Sequence, residues 1–255
     1  MILLEEFDDN KMAIINPDNL ISKIENMPEV AIACFSHVLF TEIVSSGKCM
    51  KIGKLNYTNA TKDIYEINYR GKKIALFMMD VGAPAAVSNI EDVHAMGVNK
   101  FIVFGNCGVL DESIEDCAVI IPTCALRDEG TSFHYQRPSK TINMNGNYIS
   151  EFKKILNEFN YDYVEGTTWT TDAFYRETKD KVLKRKKDGA IVVEMEAAAL
   201  QAVANFRGID LFMFFYAGDN LGGENWDKRS LYGEIKLDEK AKIAYLALEL
   251  AYRIG

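Results

Sequence analysis

Cysteine is scarce in this 255-residue sequence, and what there is does not pair up. Cys34, Cys49, Cys107, Cys117 and Cys124 are odd in number and include no Cys-x-x-Cys. That excludes a disulfide scaffold and a cysteine zinc site, and fits reduced thiols in a cytoplasmic protein. Histidine is scarcer still. His37, His94 and His134 have neither HExxH nor Cys/His ligand spacing, so no metal is expected. The five prolines are scattered, and no Pro/Gly/Ser-rich stretch separates one part of the chain from another. A single domain over 1–255 is expected, with 1–28 an N-terminal extension. Long apolar runs are missing too. The longest, Leu211–Ala217, falls far short of the roughly 18 residues a membrane span needs. Positive charge is in deficit: 29 Lys and Arg against 37 Asp and Glu give a net charge of −8. That speaks against a nucleic-acid groove or a site for anionic membranes. It leaves open a small anion, which a few local donors can hold. The N-terminus has no basic stretch ahead of its short apolar run, so no secretory signal is expected. GxSxG, P-loop and Ser/His/Asp patterns are absent as well.

What remains is ordinary globular material, 48% hydrophobic and 26% charged, which at this length can bury a core without staples. Short apolar runs at Val30–Phe35, Ile74–Val81, Phe101–Phe104, Ala118–Ile121, Ile191–Val193 and Leu211–Ala217 alternate with amphipathic stretches. The latter are read as helices over Asn19–Glu25, Ala85–Met96, Ser150–Phe159, Glu196–Phe206 and Asp238–Ile254. The polar Ser139–Tyr148 stretch reads as a loop or hairpin, and the basic Lys179–Lys187 stretch as a solvated helix face. Runs apolar throughout fit strands covered on both faces, so the fold class is α/β with a central mixed sheet flanked by helices. Three runs end in loops of unusual composition: Asp80-Val-Gly-Ala-Pro, Gly105-Asn-Cys-Gly and Gly218-Asp-Asn-Leu-Gly-Gly. Ligand sites of open α/β sheets lie beyond the carboxyl ends of strands, so these loops are expected to meet at one pocket.

Several residues there have chemistry open to two readings. Glu194 and Glu196 flank Met195 where a buried run turns into an alanine-rich helix. They either receive hydrogen bonds from a polar ligand such as a sugar or cap the helix. Asp219 follows a very apolar run. Desolvation there would make it a general acid, while its Asp-Asn-x-Gly-Gly setting equally suits a turn. Cys107 is either a nucleophile or a small residue in a tight turn, and Gly105 and Gly108 let backbone approach a ligand. The segment Arg127-Asp-Glu-Gly-Thr-Ser-Phe-His-Tyr, holding His134, serves a ligand or orders a long loop.

Taken together, Phe104-Gly-Asn-Cys-Gly-Val, Gly166-Thr-Thr-Trp-Thr-Thr-Asp-Ala-Phe-Tyr, Val193-Glu-Met-Glu-Ala-Ala-Ala and Ala217-Gly-Asp-Asn resemble the nucleoside phosphorylase superfamily in order and spacing, from about Val30 to the C-terminus. The resemblance implies cleavage of the N-glycosidic bond of a purine nucleoside, with phosphate as co-substrate and no cofactor, in a homo-oligomer. It implies that Glu196 binds the ribose hydroxyls, Met195 packs on the sugar, Glu194 supports the site and Trp169 stacks on the base. Asp219 takes the place of the acid that serves the purine N7, with Arg229 on a following helix as its assistant. Asn106, Cys107 and Gly108 line the acceptor side. The phosphorylases carry Gly-Asp-Pro-x-Arg where this chain has Cys34-Phe-Ser-His-Val, and a further Arg where it has Val103. Lys51, Lys54 and Arg127 are the candidates to replace those cations. A hydrolytic nucleosidase of the same fold and a non-catalytic nucleoside-binding member are the alternatives.

Overall fold

The computed structural model describes residues 2–46, 48–232 and 234–255. The chain runs through α1 (Pro17–Leu20), β1 (Val30–Cys34), α2 (His37–Ser45), β2 (Cys49–Asn56), β3 (Thr61–Tyr69), β4 (Lys72–Met78), α3 (Ala83–Ala95), β5 (Lys100–Val109), β6 (Val119–Asp128), β7 (Thr141–Asn143), α4 (Ile149–Glu158), β8 (Tyr163–Thr171), α5 (Lys179–Lys187), β9 (Ala190–Glu194), α6 (Ala197–Arg207), β10 (Asp210–Asn220) and α7 (Leu237–Ile254). All the strands join one mixed sheet, in the order β10-β6-β8-β9-β5-β1-β4-β3-β2, with β7 attached to β6. β10 also pairs with β5, so β5, β10, β6, β8 and β9 close into a ring. The α/β reading with a mixed sheet and flanking helices therefore holds.

The strands that are apolar throughout lie at the centre of this sheet. β1 is buried at every position, and β5 and β10 at nearly every one. One face packs against α3 and α6 through Val87, Ile90, Leu200 and Val203. The other packs against α4 and α7 through Phe152, Ile155, Leu246 and Leu250. Each wholly buried aliphatic or aromatic side chain of this kind contributes about 1.5–3 kcal/mol by leaving water, so the central strands are fixed firmly and hold their ends still. α3 starts at Gly82, whose φ of +98° suits glycine, followed by the favourable first-turn Pro84. α6 ends on Gly208 in the left-handed conformation.

Four strands lie outside the apolar runs: β2, β3, β8 and the three-residue β7, which pairs with β6 inside the polar Ser139–Tyr148 stretch. β2 and β3 form an antiparallel hairpin at the edge, with burial on scattered positions only and lysines along its open side. β8, rich in threonine, is buried near its carboxyl end because each hydroxyl there finds a partner. Among the described residues, 2–28 contain a single short turn of 3-10 helix and the four-residue α1.

Candidate active site

The three segments singled out in the sequence do meet, although Gly105–Gly108 lies within β5 and Gly218–Asn220 within β10 rather than in loops. Val81 just after β4, Asn106–Gly108 on β5, Asp219 on β10 and Leu221–Gly223 just after it line one cavity of about 870 Å³, together with Glu194, Met195 and Glu196. That size is within the range of small-molecule sites.

Glu194 ends β9, and each of its oxygens has two donors. Oε1 accepts from the hydroxyls of Thr168 (3.0 Å) and Thr170 (2.6 Å), its neighbours on β8. Oε2 accepts from the backbone N–H groups of Glu196 (2.7 Å) and Ala197 (2.6 Å), the otherwise unpartnered start of α6. Glu194 thus caps the start of α6, and it also lines the cavity. Burial raises its carboxyl above the usual range, and these four hydrogen bonds oppose that rise.

Glu196 follows in a conformation that is neither strand nor helix, so the pair is not simply extended. Its Oε1 accepts the Gly82 N–H at 2.5 Å. Gly82, at φ +98° a conformation that favours glycine, thus both precedes α3 and donates to Glu196. Burial first and the charge of Glu194 second push the Glu196 carboxyl up to about 8.

Asp219 faces these acids from β10. The β10–β5 register shifts between Ala217 and Asp219, a bulge that re-aims the following side chain. Asp219 Oδ2 accepts from the Trp226 indole N–H at 2.7 Å. Burial raises its carboxyl, while Trp226 and then Arg229 pull it down. Gly108 lies between the two acidic clusters. A Cβ there would sit 2.5 Å from Leu221 Cδ1 and 3.1 Å from both Asp219 Oδ1 and Val193 Cγ1, so a larger residue would push these side chains aside. Cys107 is buried, with its thiol 3.6 Å from the Tyr216 carbonyl. Burial first and then the charges of Glu194 and Asp219 push its thiol well up, which disfavours the thiolate a nucleophile needs.

Trp169 is corrected. It is wholly buried and does not line the cavity. Its indole donates to Asp128 at 2.9 Å, and the Arg185 guanidinium lies 5.5 Å from its ring. Trp169 therefore packs beneath α5, and the aromatics that line the cavity are Phe35, Phe174, Tyr175, Phe215, Trp226 and Tyr232, of which Phe174 and Tyr175 follow it by five and six residues. Arg229 lies in a turn, not a helix, and donates to the Ile114 carbonyl at 2.8 Å. It reaches Asp219 only through its charge. Glu177, half-buried on the cavity wall, went unnoticed in the sequence. Burial and then the Asp219 charge push its carboxyl up to about 7.

None of the candidate phosphate-side cations lines the cavity. Lys51 pairs with Asp63 at 2.6 Å, and Lys54 stays on the edge hairpin. Arg127 is buried and directs its guanidinium to Ser132, Gln136, Arg137 and Ser139. The Arg127–Tyr135 segment thereby orders its own loop. Phe35 lies against Gly105, its ring 3.0 Å from where a Cβ would be. Among the described residues, no group of three or more His, Cys, Asp or Glu is placed to hold a metal ion. No helix among them is long and apolar enough to cross a membrane.

The sequence model of the phosphorylase superfamily matches residues 29–251. The chain belongs to that superfamily. It is 26% identical over 184 residues to a guanosine phosphorylase of Halorubrum lacusprofundi, covering 72% of this chain and 76% of that one. It is 28% identical over 184 residues to a DeoD-type purine nucleoside phosphorylase of Clostridium beijerinckii, covering 69% and 78%. The fold superposes on the crystal structure of the Toxoplasma gondii purine nucleoside phosphorylase in complex with immucillin-H, with a TM-score of 0.73 and 17% identity over 89% and 90% of the two chains.

Proposed function

We propose that this superfamily member cleaves the N-glycosidic bond of a purine nucleoside, with phosphate as the acceptor and free base and sugar 1-phosphate as products. The observation that carries this is the meeting of Glu196 and Asp219, from distant strand ends, in one cavity. The names of the relatives point the same way. As the bond breaks, the sugar gains positive charge and the base negative. Asp219, raised by burial, supplies a proton or hydrogen bond to the purine N7. Glu196 keeps Oε1 on Gly82 and turns its other oxygen to the ribose hydroxyls, with Met195 against the sugar and Glu194 holding the turn. Phe174 and Tyr175 take the stacking role first expected of Trp169. Asn106, Cys107 and Gly108 form the acceptor side.

One observation favours a second reading, in which water is the acceptor. The lysines lining the cavity, Lys179 and Lys186, stand on or beside α5, and Phe35 fills space near Asn106. Phosphate recognition ordinarily uses cationic donors. The test is base release from inosine, guanosine and adenosine with and without phosphate. Phosphorolysis requires phosphate and yields sugar 1-phosphate; a rate indifferent to phosphate establishes hydrolysis. Tight nucleoside binding with no base released would instead make the chain a binding protein.

The reading includes a single domain with residues 1–28 as its extension, a cytoplasmic setting and a homo-oligomer. Exposed Phe174, Tyr175, Leu183, Trp226 and Tyr232 around the cavity, and Met12, Ile14 and Ile15 in the extension, are apolar surface suited to a second copy. Light scattering across a concentration series tests the oligomer.

A further inference from the structure

Just past β4 the sheet releases the chain. The Met79 N–H still donates to the Cys34 carbonyl at 2.9 Å, but the next donor, the Asp80 N–H, goes to Asn89 Oδ1 on α3 at 2.8 Å. Asn89 Nδ2 donates to the Asp80 carboxylate at 3.0 Å, so one side chain holds both the backbone and the side chain of Asp80. Two residues on, the Gly82 N–H donates to Glu196 Oε1. Asn89 is wholly buried, on the helix that also buries Ala86, Ile90 and Val93. A carboxamide in such a place costs stability unless its donors and its acceptor are used, and here they are.

The direction of that amide is set by the edge hairpin. Nδ2 also donates to the Tyr57 hydroxyl at 2.9 Å, and Tyr57 directs its own proton to Asp92 at 3.0 Å. A hydroxyl has a single proton, so Tyr57 accepts from Asn89 and keeps Oδ1 turned to the Asp80 N–H. Tyr57 directly follows β2, and Lys62 of β3 pairs with the Asp80 carboxylate. We infer that Asn89, oriented by Tyr57, is a positioning residue for Glu196, fixing the turn that presents the Gly82 N–H to that carboxylate. The inference rests on the nucleoside reading above, in which Glu196 binds the ribose, and deepens it by naming what holds Glu196 in place. Burial, then Glu194 of β9 and, less, Asp172 after β8 disfavour the charged form of Glu196, while the N–H groups of Gly82 and Met195 favour it.

The experiment reads Glu196 in the folded, ligand-free chain. NMR of the glutamate carboxyl carbons in isotope-labelled protein follows it against pH, the resonance being assigned by its loss in Glu196→Gln. The variants are Asn89→Ala, which frees Asp80, and Tyr57→Phe, which keeps the ring and removes only the hydroxyl. Loss of the Gly82 hydrogen bond should move the Glu196 titration to higher pH by about one unit in Asn89→Ala, and by less in Tyr57→Phe. Kinetics with inosine should show KM raised about tenfold with kcat within about twofold, the pattern of lost uniform binding. A fall in stability alone moves neither reading. A Glu196 titration unchanged in folded Asn89→Ala overturns the inference, and if that variant does not fold, Tyr57→Phe decides by the same reading. A shifted titration in a chain that cleaves no nucleoside would sink the proposed reaction and leave this inference standing. An unshifted titration in a chain that cleaves inosine would sink the inference alone.

Discussion

Replacing Glu196 by Gln should change how the stability of this protein depends on pH. The folded carboxyl, pushed up to about 8 by burial and by Glu194, compares with an ordinary 4.5 for the exposed group. Between those values the folded chain holds a proton that the unfolded chain has released, so wild-type stability falls as pH rises. The penalty is absent below about pH 4.5 and complete above about pH 8. Each pH unit within the window is worth about 1.4 kcal/mol, and the whole window on the order of 5 kcal/mol. Glutamine carries no charge, and its Oε1 can still accept the Gly82 N–H, so the variant retains the packing and loses only the titration. Urea unfolding of both proteins at matched concentration, from pH 5 to pH 8 without nucleoside, should show the variant gaining on the wild type by about 4 kcal/mol. For a chain of this length that corresponds to roughly 8–16 °C in Tm. Parallel stability curves across that window would mean that Glu196 is not held in a desolvated site, and the account of the cavity's electrostatics would fall.

Other expected outcomes follow from the same geometry. Nucleoside hydroxyls that hydrogen-bond to ionised Glu196 should drive off its proton, so binding near pH 7 should release protons, detected as calorimetric enthalpies that vary with the buffer's ionisation heat. Asp219→Asn should lower kcat by about 10²–10⁴ with a much smaller change in KM, because proton donation matters mainly in the transition state; steady-state kinetics with inosine decide this. Glu194→Ala strands two hydroxyls and two helix-start N–H groups and should cost roughly 3–5 kcal/mol, measured by chemical denaturation. Trp169→Phe should lower stability by about 1–3 kcal/mol through the lost bond to Asp128 while leaving KM within about twofold. Phe174→Ala should do the opposite, raising KM with little effect on unfolding, and kinetics and denaturation of the two variants side by side separate the roles.

The elements legible in the sequence are those whose physics is local. β1, β5 and β10 are continuous apolar runs because both faces are covered, and α7 opens with Asp238 and Glu239 in its first turn. Glycine-bearing segments at the carboxyl ends of β5 and β10 and just after β4 pointed to the cavity because parallel strands deliver their carboxyl ends to one side. β8 was not legible, since Thr168 and Thr170 look like surface residues until Glu194 is placed beside them by the pairing of β8 with β9. Trp169 misled for a related reason: within its strand it alternates to the face covered by α5, whereas the exposed aromatics belong to the turn after the strand ends. Glu177 gave no sequence signal at all, because its environment is made by Asp219, a residue brought near only by the fold.

The ring of five strands has a further consequence for how this protein can change. Gly108 on β5 pairs on one side with Val193, next to Glu194, and on the other with Asp219. The backbones of β9 at Val193 and of β10 at Asp219, which would carry the sugar and base sides of the proposed site, are therefore two strand spacings apart, about 10 Å, a distance inherited from backbone hydrogen bonding itself. No point substitution can lengthen or shorten that span without unzipping the middle strand. Diversification toward new nucleosides is thus confined to the rim, where the turn holding Phe174 and Glu177 and the loop holding Trp226 can vary while the spacing between the two backbones stays the same.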